Sequence, residues 1–166
     1  MSINVLLVDD HKIMREGLKS VLTKDSDIKV VAQASNGQEA VQKAVECSPD
    51  VIVMDLSMPV MGGFEATRRI VAANSSMKIL MLSMVLDENC VAECLKAGAK
   101  GYLSKDCAGV ELLGAVRALS AGKSYLCTRI TELVSMDCDQ LSADKLQSPS
   151  IEKLTNRELR SALYYC

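Results

Sequence analysis

The sequence predicts a doubly wound α/β fold: a five-stranded parallel sheet of strand order 2-1-3-4-5 with helices on both faces. Two observations predict it. Short runs of aliphatic and β-branched residues alternate with longer stretches whose apolar residues recur every three or four positions. Most of the short runs are continuously apolar, as strands covered on both faces must be. Five such βα units fit into roughly 120 residues, and right-handed crossovers then fix the topology.

The strands are predicted at Ile3–Val8, Ile28–Ala34, Val51–Met54, Lys78–Leu82 and, shorter, Gly101–Leu103. The first helix is carried by Ile13, Met14, Gly17, Leu18, Val21 and Leu22, and the second by Ala40, Val41, Ala44 and Val45. Gly62 to Ala73 is a weaker helical pattern resting on Phe64, Ala66 and Ile70. Val91, Cys94 and Leu95 mark the fourth helix; Leu112, Leu113, Val116 and Leu119 mark the fifth. Ser35 and Gln38 have capping-box spacing ahead of the second helix, and Asp87 stands where it can cap the fourth. Beyond Gly122 the pattern loosens. Thr128–Met136 reads as one short helix, 137–150 as polar linker, and Thr155 with Glu158 as a capping box opening a last helix.

Composition narrows the function. The chain has 166 residues, 49% hydrophobic and 24% charged, with a net charge of −2. That is enough apolar material for one core and excludes a disordered chain. No run approaches the ~18 apolar residues of a membrane span. The balanced charge argues against non-specific nucleic-acid affinity. Acids follow the first apolar run at once, without the basic start of a signal peptide, so a cytoplasmic location is expected. Seven scattered cysteines, at 47, 90, 94, 107, 127, 138 and 166, then read as free thiols. Cys90 and Cys94 share a helical face but have no second ligand pair to complete a metal site.

The chemistry gathers at strand ends. Asp9 and Asp10 follow the first strand and Asp55 follows the third. In an open sheet of this order those two strands are neighbours, about 4.8 Å apart, at the edge where ligands bind. Carboxylates so close repel one another unless a cation intervenes, and oxygen donors with water suit Mg²⁺. Ser83 follows the fourth strand and Lys105 the fifth. A metal, a hydroxyl and an ammonium around an aspartate make a site for a phosphoryl group, with Asp55 free to attack phosphorus in line. His11 reads as a surface residue at a helix start, since oxygen donors suit Mg²⁺ better.

Val5-Leu6-Leu7-Val8-Asp9-Asp10-His11, Val53-Met54-Asp55-Leu56-Ser57-Met58-Pro59, Gly62-Gly63, Ser83 and Gly101-Tyr102-Leu103-Ser104-Lys105 together resemble the receiver domain of two-component response regulators. The flavour is that of the NarL/FixJ (LuxR-type) branch and its GacA/UvrY-like regulators, over residues 3–121. The resemblance implies a flavodoxin-like receiver fold. It makes Asp55 the phosphoacceptor, and Asp10 the direct Mg²⁺ ligand with Asp9 acting mainly through water. Asp55 and the backbone carbonyl of Ser57 complete the metal set. Ser83 becomes the switch hydroxyl, Tyr102 the switch aromatic that turns inward, and Lys105 the phosphate-pairing lysine. Such a protein is not a turnover enzyme but assists its own phosphorylation and dephosphorylation. The implied donor is a histidine kinase or phosphotransfer domain, and a receiver face can form a homodimer or heterodimer.

Two positions depart from the common pattern. Met84 follows Ser83 where many receivers have a small residue, which narrows access to Asp55. Asp106 follows Lys105 where many have proline. The expected division is a receiver at 1–122, a linker with a short helix at 123–153, and at 154–166 the truncated start of a LuxR-type helix-turn-helix. Leu154-Thr155-Asn156-Arg157-Glu158 resembles that start, but only 13 residues run from Leu154 to Cys166, too few for a recognition helix. Charges from Asp139 onward also cancel, so autonomous DNA binding is not expected. Three alternatives compete with the phosphoacceptor: a DNA-binding transcription regulator, a haloacid-dehalogenase-type phosphatase with Asp9 as nucleophile, and a phosphate-independent decoy or interaction module. The phosphatase ranks a distant third, behind the phosphoacceptor and the DNA-binding regulator, because its second acid usually stands two residues after the first.

Overall fold

The computed structural model describes residues 2–133. Six parallel strands form one sheet in the order β2-β1-β3-β4-β5-β6. They are β1 (Ile3–Val8), β2 (Ile28–Ala34), β3 (Val51–Asp55), β4 (Ile79–Ser83), β5 (Gly101–Ser104) and β6 (Tyr125–Leu126). The first five follow the predicted order. The sixth was not foreseen: two residues carry no period, and only pairing with β5, Tyr102 opposite Leu126, makes them a strand. Short as it is, β6 covers the edge of β5 and leaves little unpaired backbone of its own.

The helices are α1 (Lys12–Leu22), α2 (Gly37–Cys47), α3 (Gly63–Ala73), α4 (Glu88–Lys96) and α5 (Ala108–Ser120), with a 3-10 turn at Lys105–Cys107. Every residue of β3, β4 and β5 is buried, which is why those runs lack alternation. Edge strand β2 alternates instead, with Lys29 and Val31 facing out. Residues 128–133 are helical, and Ile130 is buried against the core. The linker expected beyond them and the helix-turn-helix start at 154–166 lie outside the described residues.

Three readings of the helices need correction. Ile13 and Val45 do not belong to the buried stripes, being 89% and 71% exposed. Each stands one residue from the inward position, Met14 or Ala44, and one residue is a rotation of about 100°. The cap of α2 is shifted by one: Asn36 accepts the Glu39 N–H at 2.9 Å, while the Glu39 carboxylate accepts the Ser35 N–H at 3.0 Å. Asn36 takes the role because its side chain reaches the third helical N–H, leaving Gln38 in solvent. Asp87 occupies the N-cap position of α4 but its side chain makes no capping bond.

Two glycines hold the β3–α3 loop where the chemistry needs it. A Cβ at Gly63 would collide with the Asp55 carbonyl oxygen, and one at Gly37 with that of Met61. The first turn of α3 therefore starts directly on the backbone of Asp55, with the Gly63 N–H donating to Leu56.

Candidate functional site

The carboxyl ends of β1, β3, β4 and β5 deliver the polar residues to one sheet edge, as parallel pairing requires. Asp9 and Asp10 follow β1, Asp55 and Ser83 end β3 and β4, and Lys105 opens the turn after β5. Asp9, Asp55 and Ser83 are buried. One donor atom from each of Asp9, Asp10, His11 and Asp55 lies within 4.8 Å of the others. The three aspartates singled out from the sequence are thus brought together.

Lys105 is the counterion. Its Nζ donates to Asp9 Oδ2 at 2.9 Å and lies 3.1 Å from Asp55 Oδ2. Asp9 also accepts the His11 N–H on Oδ1 at 2.8 Å, and its carbonyl accepts Arg15 Nη1 at 2.7 Å. Asp9 is therefore an anchored carboxylate. Asp55 is less satisfied: Oδ1 accepts only a long bond from the Ser57 N–H at 3.3 Å, and the alignment of Lys105 leaves Oδ2 without a hydrogen bond. Asp10 Oδ1 is likewise buried without a hydrogen-bond donor. Two carboxylate oxygens that lack a hydrogen bond, one facing Lys105 Nζ and the other His11 Nδ1, stand in an oxygen-rich cluster of the kind a hard divalent cation would complete.

Burial, reinforced by the charge of Asp9, pushes the Asp55 carboxyl up to about 6 against the pull of Lys105. Burial acts the opposite way on Lys105, but its hydrogen bond to Asp9 and the neighbouring charges of Asp55 and Asp9 outweigh it and hold the ammonium above its usual range. The lysine stays charged and the aspartate is the group poised to change.

Ser83 and Tyr102 converge on a residue that no sequence signal marks. The Val85 N–H donates to Ser83 Oγ at 2.9 Å, and the Tyr102 hydroxyl donates to the Val85 carbonyl at 2.7 Å. Tyr102 is fully buried and already turned inward, and burial holds its phenol protonated. Met84 lies between these partners, 62% exposed. No cis peptide occurs among the described residues, Lys105–Asp106 included.

His11 is the exposed residue at the start of α1 that the sequence reading expects. Its ring is largely exposed, yet Nδ1 lies 3.0 Å from Asp10 Oδ1 and 3.5 Å from Asp9 Oδ1. Its position directly after the acidic pair was the available signal. Arg15, one turn on, was also missed; it ties Asp9 to Gln33 of β2 through a 3.2 Å bond. Cys90 and Cys94 lie on α4, Cys94 buried, and the five described cysteines are free thiols.

Comparison with known proteins places this geometry. The response regulator receiver domain family matches residues 5–117. The response regulator UvrY of Escherichia coli is 40% identical over 161 residues, covering 97% of this chain and 72% of that protein. The transcriptional regulatory protein LiaR of Bacillus subtilis is 41% identical over 157 residues, covering 95% and 73%. Among solved structures, a LuxR-family two-component response regulator from Aurantimonas sp. superposes with a TM-score of 0.79 at 34% identity, over 82% of this chain and 98% of that one. The response regulator domain of Thermotoga maritima CheB gives 0.68, also at 34% identity, over 73% and 98%.

Proposed function

The chain belongs to the response regulator receiver family of two-component signalling, and from that premise we propose that Asp55 accepts a phosphoryl group from a phosphohistidine of a histidine kinase or phosphotransfer domain. The observation that carries the proposal is the buried, under-bonded Asp55 carboxylate, set beside Asp9 and Asp10 and paired with Lys105. Asp9, Asp10, Asp55 and the Ser57 carbonyl are the residues proposed to hold Mg²⁺. When bound, the ion supplies positive charge against the phosphoryl oxygens and the attacking carboxylate.

The residues have separable tasks. An Asp55 oxygen attacks phosphorus, the phosphorus–nitrogen bond of the donor breaks, and the imidazole leaves with the electron pair. The product is an acyl phosphate on Asp55. Lys105, already within 3.1 Å of Asp55, pairs with a phosphoryl oxygen. Ser83 is the hydroxyl proposed to turn from the Val85 N–H toward that phosphate, loosening the turn that Tyr102 also grips. A charge change at Asp55 thereby biases the start of α4, the face through which a second receiver or another partner is proposed to be read.

The division into a receiver to residue 122, a linker at 123–153 and a helix-turn-helix start at 154–166 is part of the same proposal. Alignment with UvrY over 161 residues supports continuity of the chain with such regulators. No helix among the described residues is long and apolar enough to cross a membrane, in keeping with the proposed cytoplasmic location. The test is labelling by acetyl phosphate. Mg²⁺-dependent incorporation that is lost in Asp55→Asn is expected; equal labelling of the variant overturns the assignment.

A further inference from the structure

The proposed cation site has a neighbour that its oxygen chemistry does not use. His11 is the N-cap of α1, but its side chain makes no capping bond, so the ring is not committed to the helix. Its backbone is held by Asp9 through the 2.8 Å N–H bond. Nδ1 stands 3.0 Å from Asp10 Oδ1, within a set of donor atoms spanning 4.8 Å. Two donors at right angles around an octahedral ion with bonds of about 2.1 Å are themselves about 3 Å apart. Nδ1 and Asp10 Oδ1 are therefore spaced as adjacent ligands of one ion. An independent observation points to the ion's place: Asp55, 2% exposed, has no hydrogen bond on Oδ2, which meets only the Lys105 ammonium at 3.1 Å.

We propose that His11 is a selectivity-determining ligand, adding an imidazole nitrogen that shifts the site toward borderline divalent ions such as Co²⁺ and Zn²⁺. The inference rests on the reading that Asp9, Asp10 and Asp55 hold a cation. Mg²⁺ takes oxygen ligands and keeps its waters, so a nitrogen offers it little. Co²⁺ and Zn²⁺ accept imidazole readily. A borderline ion held by carboxylates and imidazole together has fewer positions open for a phosphoryl oxygen. Such ions therefore compete with Mg²⁺ and restrain phosphorylation, which makes the receiver responsive to transition-metal supply.

His11 is the only histidine in the chain, so an imidazole signal has one source in a preparation free of histidine tags. The test uses the full chain at about pH 8, where imidazole is ordinarily neutral. Electron spin-echo spectra of bound Mn²⁺ are expected to show nitrogen modulation in wild type and none in His11→Ala. By calorimetry, the ratio of Co²⁺ to Mg²⁺ affinity is expected to fall about tenfold in His11→Ala, whereas a general loss of the site would lower both affinities together. Saturable Mn²⁺ binding without nitrogen modulation, or an unchanged affinity ratio, overturns the role of His11 and leaves the cation site standing. Absence of saturable binding by any of these ions in wild type removes the cation site and this inference with it.

Discussion

Lys105 and Asp9, 96 residues apart in sequence, meet through a 2.9 Å hydrogen bond beneath the site, and the same ammonium stands 3.1 Å from Asp55. One cation from the end of β5 thus compensates two buried carboxylates from β1 and β3. Replacing it with a neutral side chain of similar length, Lys105→Met, leaves those carboxylates facing each other. We expect a loss of about 2–4 kcal/mol at neutral pH without divalent ions. Saturating Mg²⁺ should restore much of it, because a second cation then serves the same charges. Urea unfolding with and without the ion checks both, and equal stability of variant and wild type would contradict the bridge.

Asp55 links stability to pH in the direction opposite to an ordinary paired aspartate. Its carboxyl is raised from 3.8 to about 6, so between those values the folded chain holds a proton that the unfolded chain has released. Its charge opposes folding above about pH 6, and that opposition disappears as pH falls toward 4. Asp55→Asn, which cannot titrate, should therefore be more stable than wild type at pH 7.5 by an amount on the order of 1–3 kcal/mol. The advantage should shrink through the window from 6 to 4. Unfolding curves across that range in a chelator test it; a difference independent of pH would count against the raised carboxyl.

Mg²⁺ affinity should follow the same titration, since a proton on Asp55 competes with the ion. Affinity is expected to weaken as pH drops through about 6 and to level off above it. Isothermal titration at several pH values measures this, and a flat profile from 5 to 8 would exclude Asp55 from the ligand set.

Val85 is gripped at both ends, its N–H by Ser83 and its carbonyl by Tyr102. Ser83→Ala and Tyr102→Phe should each cost about 1 kcal/mol. Because the two bonds order the same residue, the double variant should lose less than the two single losses together, by about 0.5 kcal/mol or more. A double-mutant cycle by thermal unfolding decides it, and strict additivity would show the two bonds to be independent.

Val60 adopts φ +68° in the loop between β3 and α3, and its side chain is 78% exposed. A β-branched residue in the left-handed region costs about 1–2 kcal/mol without a buried contact to offset it. Glycine removes that strain but adds unfolded-chain freedom of about 0.5–1 kcal/mol. The expected net effect of Val60→Gly is a gain of about 0.5–1 kcal/mol, read as a raised melting temperature; a lower one would show that the valine conformation is supported by its surroundings.

The strands were legible almost to the residue. β1 and β2 match the predicted Ile3–Val8 and Ile28–Ala34: in β1 the buried Val5 to Val8 form an uninterrupted apolar run, while β2 shows the alternation of an edge strand. The convergence of Asp9, Asp10 and Asp55 was legible too, since neighbouring parallel strands present their ends to one edge. The rest had no local signature. β6 exists only through its pairing with β5. Ile13 and Val45 fit a helical stripe by spacing but face solvent, because spacing does not say how wide the covered face is.

What the sequence by itself determined is the alternation of periods, and with it the sheet, its order and the edge at which acids and lysine collect. These follow from local burial and chirality, which every segment carries in its own residues. Only the tertiary structure decided which atoms meet there. Lys105 bridging two carboxylates, Val85 held between Ser83 and Tyr102, and the His11 ring beside Asp10 depend on side-chain reach across strands. Those distances are set by packing between segments, which no single stretch of the chain encodes.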